Sequence, residues 1–205
     1  MSQLSNRKQT NRLFPVFLKL ESLSVLIIGG GKIGLEKLSA LLSNSPQTNI
    51  RLVSISFSKE VRKLVADYPN IELKERVFLP ADADDRDIVI IAIDDKKEST
   101  RIRKIVKEKN KLVNVADKPE LCDFYMGSIV QKGNLKIGIS TNGKSPTLAK
   151  RLKELFNELL PEEIDELLDN MEVIRSKLKG DFAEKVNQLN AITKDFVLDK
   201  KLPAR

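Results

Sequence analysis

An α/β fold, with a doubly wound parallel sheet followed by a small β-hairpin and a C-terminal helical region, is the class this sequence predicts. Three observations carry that expectation. The apolar run Ser24-Val25-Leu26-Ile27-Ile28 breaks into Gly29-Gly30-Gly31-Lys32-Ile33-Gly34 and then into helical periodicity. Four further short apolar runs alternate with helical stretches as far as Asp117. After Pro119 the alternation stops, giving way to two strand-like runs around Lys132-Gly133-Asn134 and then to long amphipathic stretches. Strands alternating with helices imply a parallel sheet covered on both faces, in a Rossmann-like arrangement whose ligands collect at the carboxyl ends of the strands.

The elements follow in order. Residues 32–42 read as the first helix, and 50–55 as the second strand, with the loop 44–48 between them. Residues 58–67 read as a helix with Ser58 as its cap, and 71–74 as a short strand. The run 87–93 reads as a fully buried strand, 99–108 as a helix, and 112–115 as a strand that delivers Ala116-Asp117. Beyond Pro119, 127–130 and 135–140 form the expected hairpin, with Leu135, Ile137 and Ile139 on one face. Ser145-Pro146 announces a long helix, with Ser as N-cap and Pro at the first helical position. Pro161-Glu162-Glu163 starts another, and 177–205 reads as helical, highly charged and frayed at its end. The expected organisation is a flexible tail at 1–12, a nucleotide-binding domain at 13–126, a dimerisation region at 127–150 and a helical domain at 151–205. A lone hairpin is barely stable in water, so it is expected to pair with a partner subunit.

Composition narrows the function. The 205 residues are 41% hydrophobic and 32% charged, a folded rather than disordered balance, with no apolar run long enough to span a bilayer. The polar start lacks a signal-peptide core, which makes a cytoplasmic protein with no membrane partner the expectation. The single Cys122 excludes an intrachain disulfide, and the absence of histidine removes the commonest ligand of zinc and the commonest neutral-pH proton carrier. No resident metal site is expected. Proton transfer must rest on carboxylates, lysines, tyrosines or the thiol. A net charge of +7 points to an anionic partner, yet the lysines are interleaved with acids and there is no Trp, so nucleic acid is not expected.

The glycine turn carries the most chemistry. Gly29, Gly31 and Gly34 fit G-x-G-x-x-G: the first permits the tight turn, the second lets backbone approach a pyrophosphate, and the third lets helix pack on strand. Gly30 completes the turn, and Lys32 and Ile33 open the helix whose free N–H groups and positive dipole end face the phosphates. Many such folds place an acid after the second strand to hold the adenosine ribose, where this chain has Ser54-Ile55-Ser56. Asp117 lies just past a strand end, where a site opens, and either acts there as a general base or merely caps the Pro119 turn.

Five blocks then carry a family resemblance: Leu13-Phe14-Pro15-Val16-Phe17-Leu18-Lys19-Leu20, Gly29-Gly30-Gly31, Asn114-Val115-Ala116-Asp117, Leu121-Cys122-Asp123-Phe124 and Ile139-Ser140-Thr141-Asn142-Gly143-Lys144-Ser145-Pro146. In this order they resemble the precorrin-2 dehydrogenase / sirohydrochlorin ferrochelatase family, the module that also forms the N-terminal part of siroheme synthases. The likeness runs from about residue 13 to 159. It implies a stand-alone homodimeric enzyme that oxidises precorrin-2, an anionic tetrapyrrole, to sirohydrochlorin with NAD+. In many members the same site then inserts Fe2+, which enters as substrate rather than as a bound metal.

The resemblance places the catalytic aspartate on Asp117, and adds Ser54, Ile55, Ser56, Ile93 and Asp94 to the cofactor contacts of the glycine turn. The candidate substrate contacts are Ser140, Thr141, Asn142, Gly143, Lys144 and Ser145, because the Ser145-Pro146 helix start and Lys144 suit substrate carboxylates; the Ser140 and Thr141 hydroxyls either donate to the substrate or are structural, and Lys150 and Arg151 are better read as an ordinary solvated face. Cys122 reads as core packing. The chain departs from the family at Ile93, often Thr, and at Gly127, often Pro. The sequence leaves NAD+ against NADP+ and the insertion of iron open, with NAD+ favoured. The competing class is an NAD(H)-sensing regulatory module that binds the dinucleotide without turning it over.

Overall fold

A computed structural model of the chain describes residues 10–178 and 180–198. Residues 1–9 of the expected tail at 1–12, and residues 199–205 at the frayed end, lie outside these. The chain divides into two compact units, one ending at Met126 and the other beginning at Gly127.

In the first unit, β1 (Ser24–Ile28), β2 (Asn49–Ser54), β3 (Ile71–Glu75), β4 (Ile88–Ile91) and β5 (Leu112–Val115) form one sheet in the order β3-β2-β1-β4-β5. All four pairings are parallel. The strand order reverses between β1 and β4, which makes their carboxyl ends the switch point where such sheets bind ligands. α1 (Lys32–Asn44) and α2 (Lys59–Val65) cover one face, over a core of Val25, Ile27, Leu38, Ile50, Leu52 and Val61. α3 (Lys96–Glu108) covers the other, over Leu26, Val53, Val89, Ile91, Ile102 and Val113. Buried on both faces, β1 and β4 read as unbroken apolar runs rather than alternating ones.

The second unit holds an antiparallel pair, β6 (Ser128–Lys132) and β7 (Leu135–Ile139), then α4 (Pro146–Leu159), α5 (Ile164–Lys177) and α6 (Phe182–Leu198). Lys132 faces Leu135, so Gly133-Asn134 is a two-residue turn, and Gly133 takes the positive φ (+51°) that such turns require. Asp165 of α5 accepts the Asn134 N–H at 2.6 Å, and α4 packs on both strands. Ser145 caps α4 through the Leu148 N–H at 3.1 Å, as the Ser-Pro signal predicts.

Several boundaries differ from the expected ones. α3 begins at Lys96 rather than 99, because Asp95 accepts the Glu98 N–H at 3.0 Å and starts the helix well before its first apolar residue, Ile102. The helix expected at Pro161-Glu162 begins at Ile164, since Glu162 instead pairs with Lys132 of the hairpin. The stretch beyond 177 is not continuous: α5 ends, and a box in which Asp181 and Glu184 bond each other's amides starts α6. No helix among the described residues is long and apolar enough to cross a membrane.

Candidate active site

The turn after β1 is tied on both sides. The Gly29 amide donates to the Val53 carbonyl at 2.9 Å, the Gly30 amide to Ser54 Oγ at 3.0 Å, and the Gly30 carbonyl accepts from the Ser58 amide at 2.9 Å. Gly29 has φ +121°, and a Cβ there would run into the Ala92 carbonyl. A Cβ on Gly34 would run into the Gly29 carbonyl, and one on Gly30 into the Ser56 carbonyl and the Phe57 ring. Gly31 is different. Apart from its chain neighbours, no atom of the described residues lies within 4 Å of where its Cβ would stand, so nothing in their packing demands glycine there.

Gly31 is also the N-cap of α1 and offers no side chain to the first-turn amides. An open approach beside uncapped helix N–H groups fits a pyrophosphate, which needs close backbone contact and positive potential. Lys32 is exposed beside this opening, and Ile33 is half-buried against the core. The chemistry of the donor set is therefore suited to a dinucleotide.

Ser54 is half-buried with its oxygen already accepting from the turn, while Ile55, 74% exposed, and Ser56 stand free at the end of β2. Ile55 offers the apolar surface an adenine needs; Val77 and Leu79, also exposed after β3, offer more and carry no motif that would have marked them. Ile93 packs beside the core of the α3 face, and Asp94 is exposed. The acid that does structural work is Asp95, the helix cap.

Asp117 follows β5 on the same carboxyl edge, two strands from β1, or roughly 10 Å at the usual strand spacing. Its φ is +57°, a left-handed conformation that costs energy for any side chain. The residue is exposed, and among the described residues none donates a hydrogen bond to its carboxylate. The turn-capping alternative therefore has no bond to support it; Lys118, not Asp117, precedes the short helical turn Pro119–Leu121.

What holds Asp117 there is the return of 121–124 along β5. The Asp123 amide donates to the Val113 carbonyl at 2.7 Å, and its carboxylate accepts the Val113 amide at 2.9 Å. Asn114 Nδ2 donates to the Phe124 carbonyl at 2.9 Å, and Arg103 Nε to the Leu121 carbonyl at 2.8 Å. Cys122 Sγ accepts the Val115 amide at 3.1 Å and lies 3.2 and 3.3 Å from the Val115 and Lys118 carbonyls. Burial pushes the thiol pKa up, the Val115 amide only partly opposing it, so Cys122 is a packing and bonding group and not a nucleophile.

In the second unit, residues 140–145 form a tight turn with φ +55° at Asn142 and +74° at Gly143. Thr141 Oγ1 accepts the Ser145 amide and donates to its carbonyl, both at 3.2 Å; Ser140 Oγ accepts the Asn142 amide at 3.2 Å, and Ser145 Oγ caps α4. Three of the four hydroxyl and amide side chains in this block are thus engaged locally, and Lys144 is exposed. Arg151 pairs with Glu154 at 2.9 Å, in keeping with an ordinary solvated face. Among the described residues no group of three or more Cys, Asp or Glu is placed to hold a metal ion.

A parallel sheet with this turn at its switch point defines a dinucleotide-binding domain, and comparison with known proteins agrees. A family model described as putative NAD(P)-binding matches residues 16–128, and one described as the central part of sirohaem biosynthesis proteins matches 132–159. The siroheme synthase of Thioalkalivibrio sulfidiphilus is 34% identical over 82% of the chain, and the siroheme biosynthesis protein met8 of Schizosaccharomyces pombe 34% identical over 80%. The chain spans 34% of the first protein's length and 62% of the second's. A solved structure of SirC, precorrin-2 dehydrogenase, superposes with a TM-score of 0.68 at 26% identity, over 88% of this chain and 89% of that one. The chain belongs to the precorrin-2 dehydrogenase / sirohydrochlorin ferrochelatase family of siroheme biosynthesis.

Proposed function

We propose that the chain oxidises precorrin-2 to sirohydrochlorin with NAD+, using Asp117 as the general base. The bound nicotinamide supplies the hydride acceptor for this chemistry. The observation that carries the reading is the Asp117 carboxylate: exposed, unpartnered, and held in a costly backbone conformation on the edge that also bears the glycine turn. Oxidation removes one hydride and one proton from the substrate, and an unpartnered carboxylate is free to take that proton. Gly29, Gly30, Gly31, Lys32, Ile33 and Gly34 hold the pyrophosphate. Ser54, Ile55, Ser56, Ile93 and Asp94 line the two ends of the dinucleotide.

The substrate carries many carboxylates, and the +7 charge of the chain suits it. Lys144 supplies a cation for one of them, with Ser140, Thr141, Asn142, Gly143 and Ser145 shaping the turn that presents it. Insertion of Fe2+ as a second substrate needs a base for the pyrrole N–H protons, and the same carboxylate serves. The unit from Gly127 pairs with a second copy of the chain; Leu148 and Leu155 on α4, 52% and 46% exposed, are the apolar surface this would cover.

The test is anaerobic incubation of the protein with precorrin-2 and NAD+, following NADH and sirohydrochlorin together, then adding Fe2+. Equal, protein-dependent formation of both products is expected, with iron insertion faster than in protein-free solution. Dinucleotide binding without turnover on either NAD+ or NADP+ would favour a sensing module instead.

A further inference from the structure

No acid follows β2, but the sheet brings one to its end from the neighbouring strand. Ser54, the last residue of β2, pairs in register with Glu75, the last of β3. Side chains paired in register project to the same face. Ser54 Oγ holds the Gly30 amide, so Glu75 stands one strand away from the glycine turn on the face covered by α2.

There both Glu75 carboxylate oxygens lie 2.7 Å from Arg62 Nη2 of α2. The guanidinium carbon lies 5.6 Å from the Phe57 ring centroid, and that ring fills the space beside Gly30. Gly30, Phe57, Arg62 and Glu75 thus form a continuous line of contacts flanking the end of β2. The two charged side chains are 49% and 48% exposed, so their pairing adds little to stability and both remain within a ligand's reach.

We infer that Glu75 and Arg62 select the coenzyme at the adenosine 2′-position: Glu75 supplies the acid that β2 lacks, and Arg62 is the cation it keeps from a phosphate. The inference rests on the dinucleotide reading of the glycine turn. A ribose 2′-hydroxyl donates to the Glu75 carboxylate, whereas a 2′-phosphate meets its charge. Remove that charge and the guanidinium, with its planar fork of donors, is released to a phosphate.

The experiment is titration of the full chain with NADH and NADPH, followed by coenzyme fluorescence, for the unmodified protein, Glu75→Gln, Arg62→Gln and the double variant. Glu75→Gln is expected to tighten NADPH relative to NADH by about tenfold, the size of one surface charge interaction at close range. Arg62→Gln is expected to weaken NADPH further while NADH holds, and the double variant to lose the gain. Binding of NADH with an unchanged ratio in both single variants overturns this assignment alone. Binding of neither coenzyme to the unmodified chain overturns the dinucleotide reading, and this assignment with it.

Discussion

The thiol of Cys122 accepts a hydrogen bond from the Val115 amide at 3.1 Å, and that bond closes the turn on which Asp117 sits. Replacing Cys122 with Ala removes the bond and leaves a small void, at an expected cost of about 1–2 kcal/mol. Urea unfolding measures that loss. Turnover should fall several-fold while dinucleotide affinity stays level, because the damage is to the β5 turn and not to the glycine turn. The half-buried thiol, its pKa pushed up, should also react with thiol reagents more slowly than free cysteine at neutral pH.

Gly31 and Gly34 should separate ligand from fold. Gly31→Ala meets no atom of the described residues within 4 Å beyond its chain neighbours, so its unfolding free energy should stay within about 0.5 kcal/mol of the parent. Its dinucleotide affinity should drop about tenfold or more, since the methyl group would stand where the proposed reading brings the pyrophosphate. Gly34→Ala collides with the Gly29 carbonyl and should cost about 1–3 kcal/mol. Equal stability losses in the two variants would contradict this division.

At Asp117, backbone and carboxylate can be tested apart. Asp117→Gly relieves the φ of +57° and should be more stable than Asp117→Ala by about 1 kcal/mol. Asp117→Asn tolerates the same conformation and keeps the fold. All three should lose turnover and keep dinucleotide binding, which single-turnover kinetics and a binding titration would report. Undiminished turnover in Asp117→Asn would remove the carboxylate from the reaction.

Acid stability should depend on Asp82, which is buried and forked by Arg76 at 2.6 and 2.7 Å, with the Leu79 amide at 2.9 Å. Burial alone raises its pKa, but the Arg76 and Leu79 hydrogen bonds outweigh it and the net shift is downward. A pKa depressed in the folded state gives stability that is present above the unfolded value of about 3.9 and is lost as pH falls through the folded value. The urea midpoint should therefore decline below about pH 4, and Asp82→Asn should flatten that decline while lowering the midpoint at pH 7.

The glycine turn, β1 and the Ser145 cap were legible in the sequence because each is written in adjacent residues: an apolar run, a glycine spacing, a Ser-Pro pair. The start of α3 was not, because Lys96, Lys97 and Glu98 carry no apolar periodicity and only the cap at Asp95 marks them. Pro161 looked like a helix start, yet Glu162 is drawn to Lys132, 30 residues away in sequence. The return of 121–124 along β5 has no alternating pattern, since its bonds come from Asp123, Cys122 and the Asn114 amide rather than from a ladder. Glu75 and Arg62 carry no motif at all. Only the register of β2 on β3 brings that acid level with Ser54.

The double attachment of 121–124 to β5 has a thermal consequence. Bonds from Val113, Asn114, Val115 and Arg103 fasten this segment to the sheet and to α3, both parts of the central core. The segment that aims Asp117 cannot loosen ahead of the domain, as a free active-site loop would. Heating should leave activity intact until the sheet itself melts, and inactivation and unfolding should then share one transition.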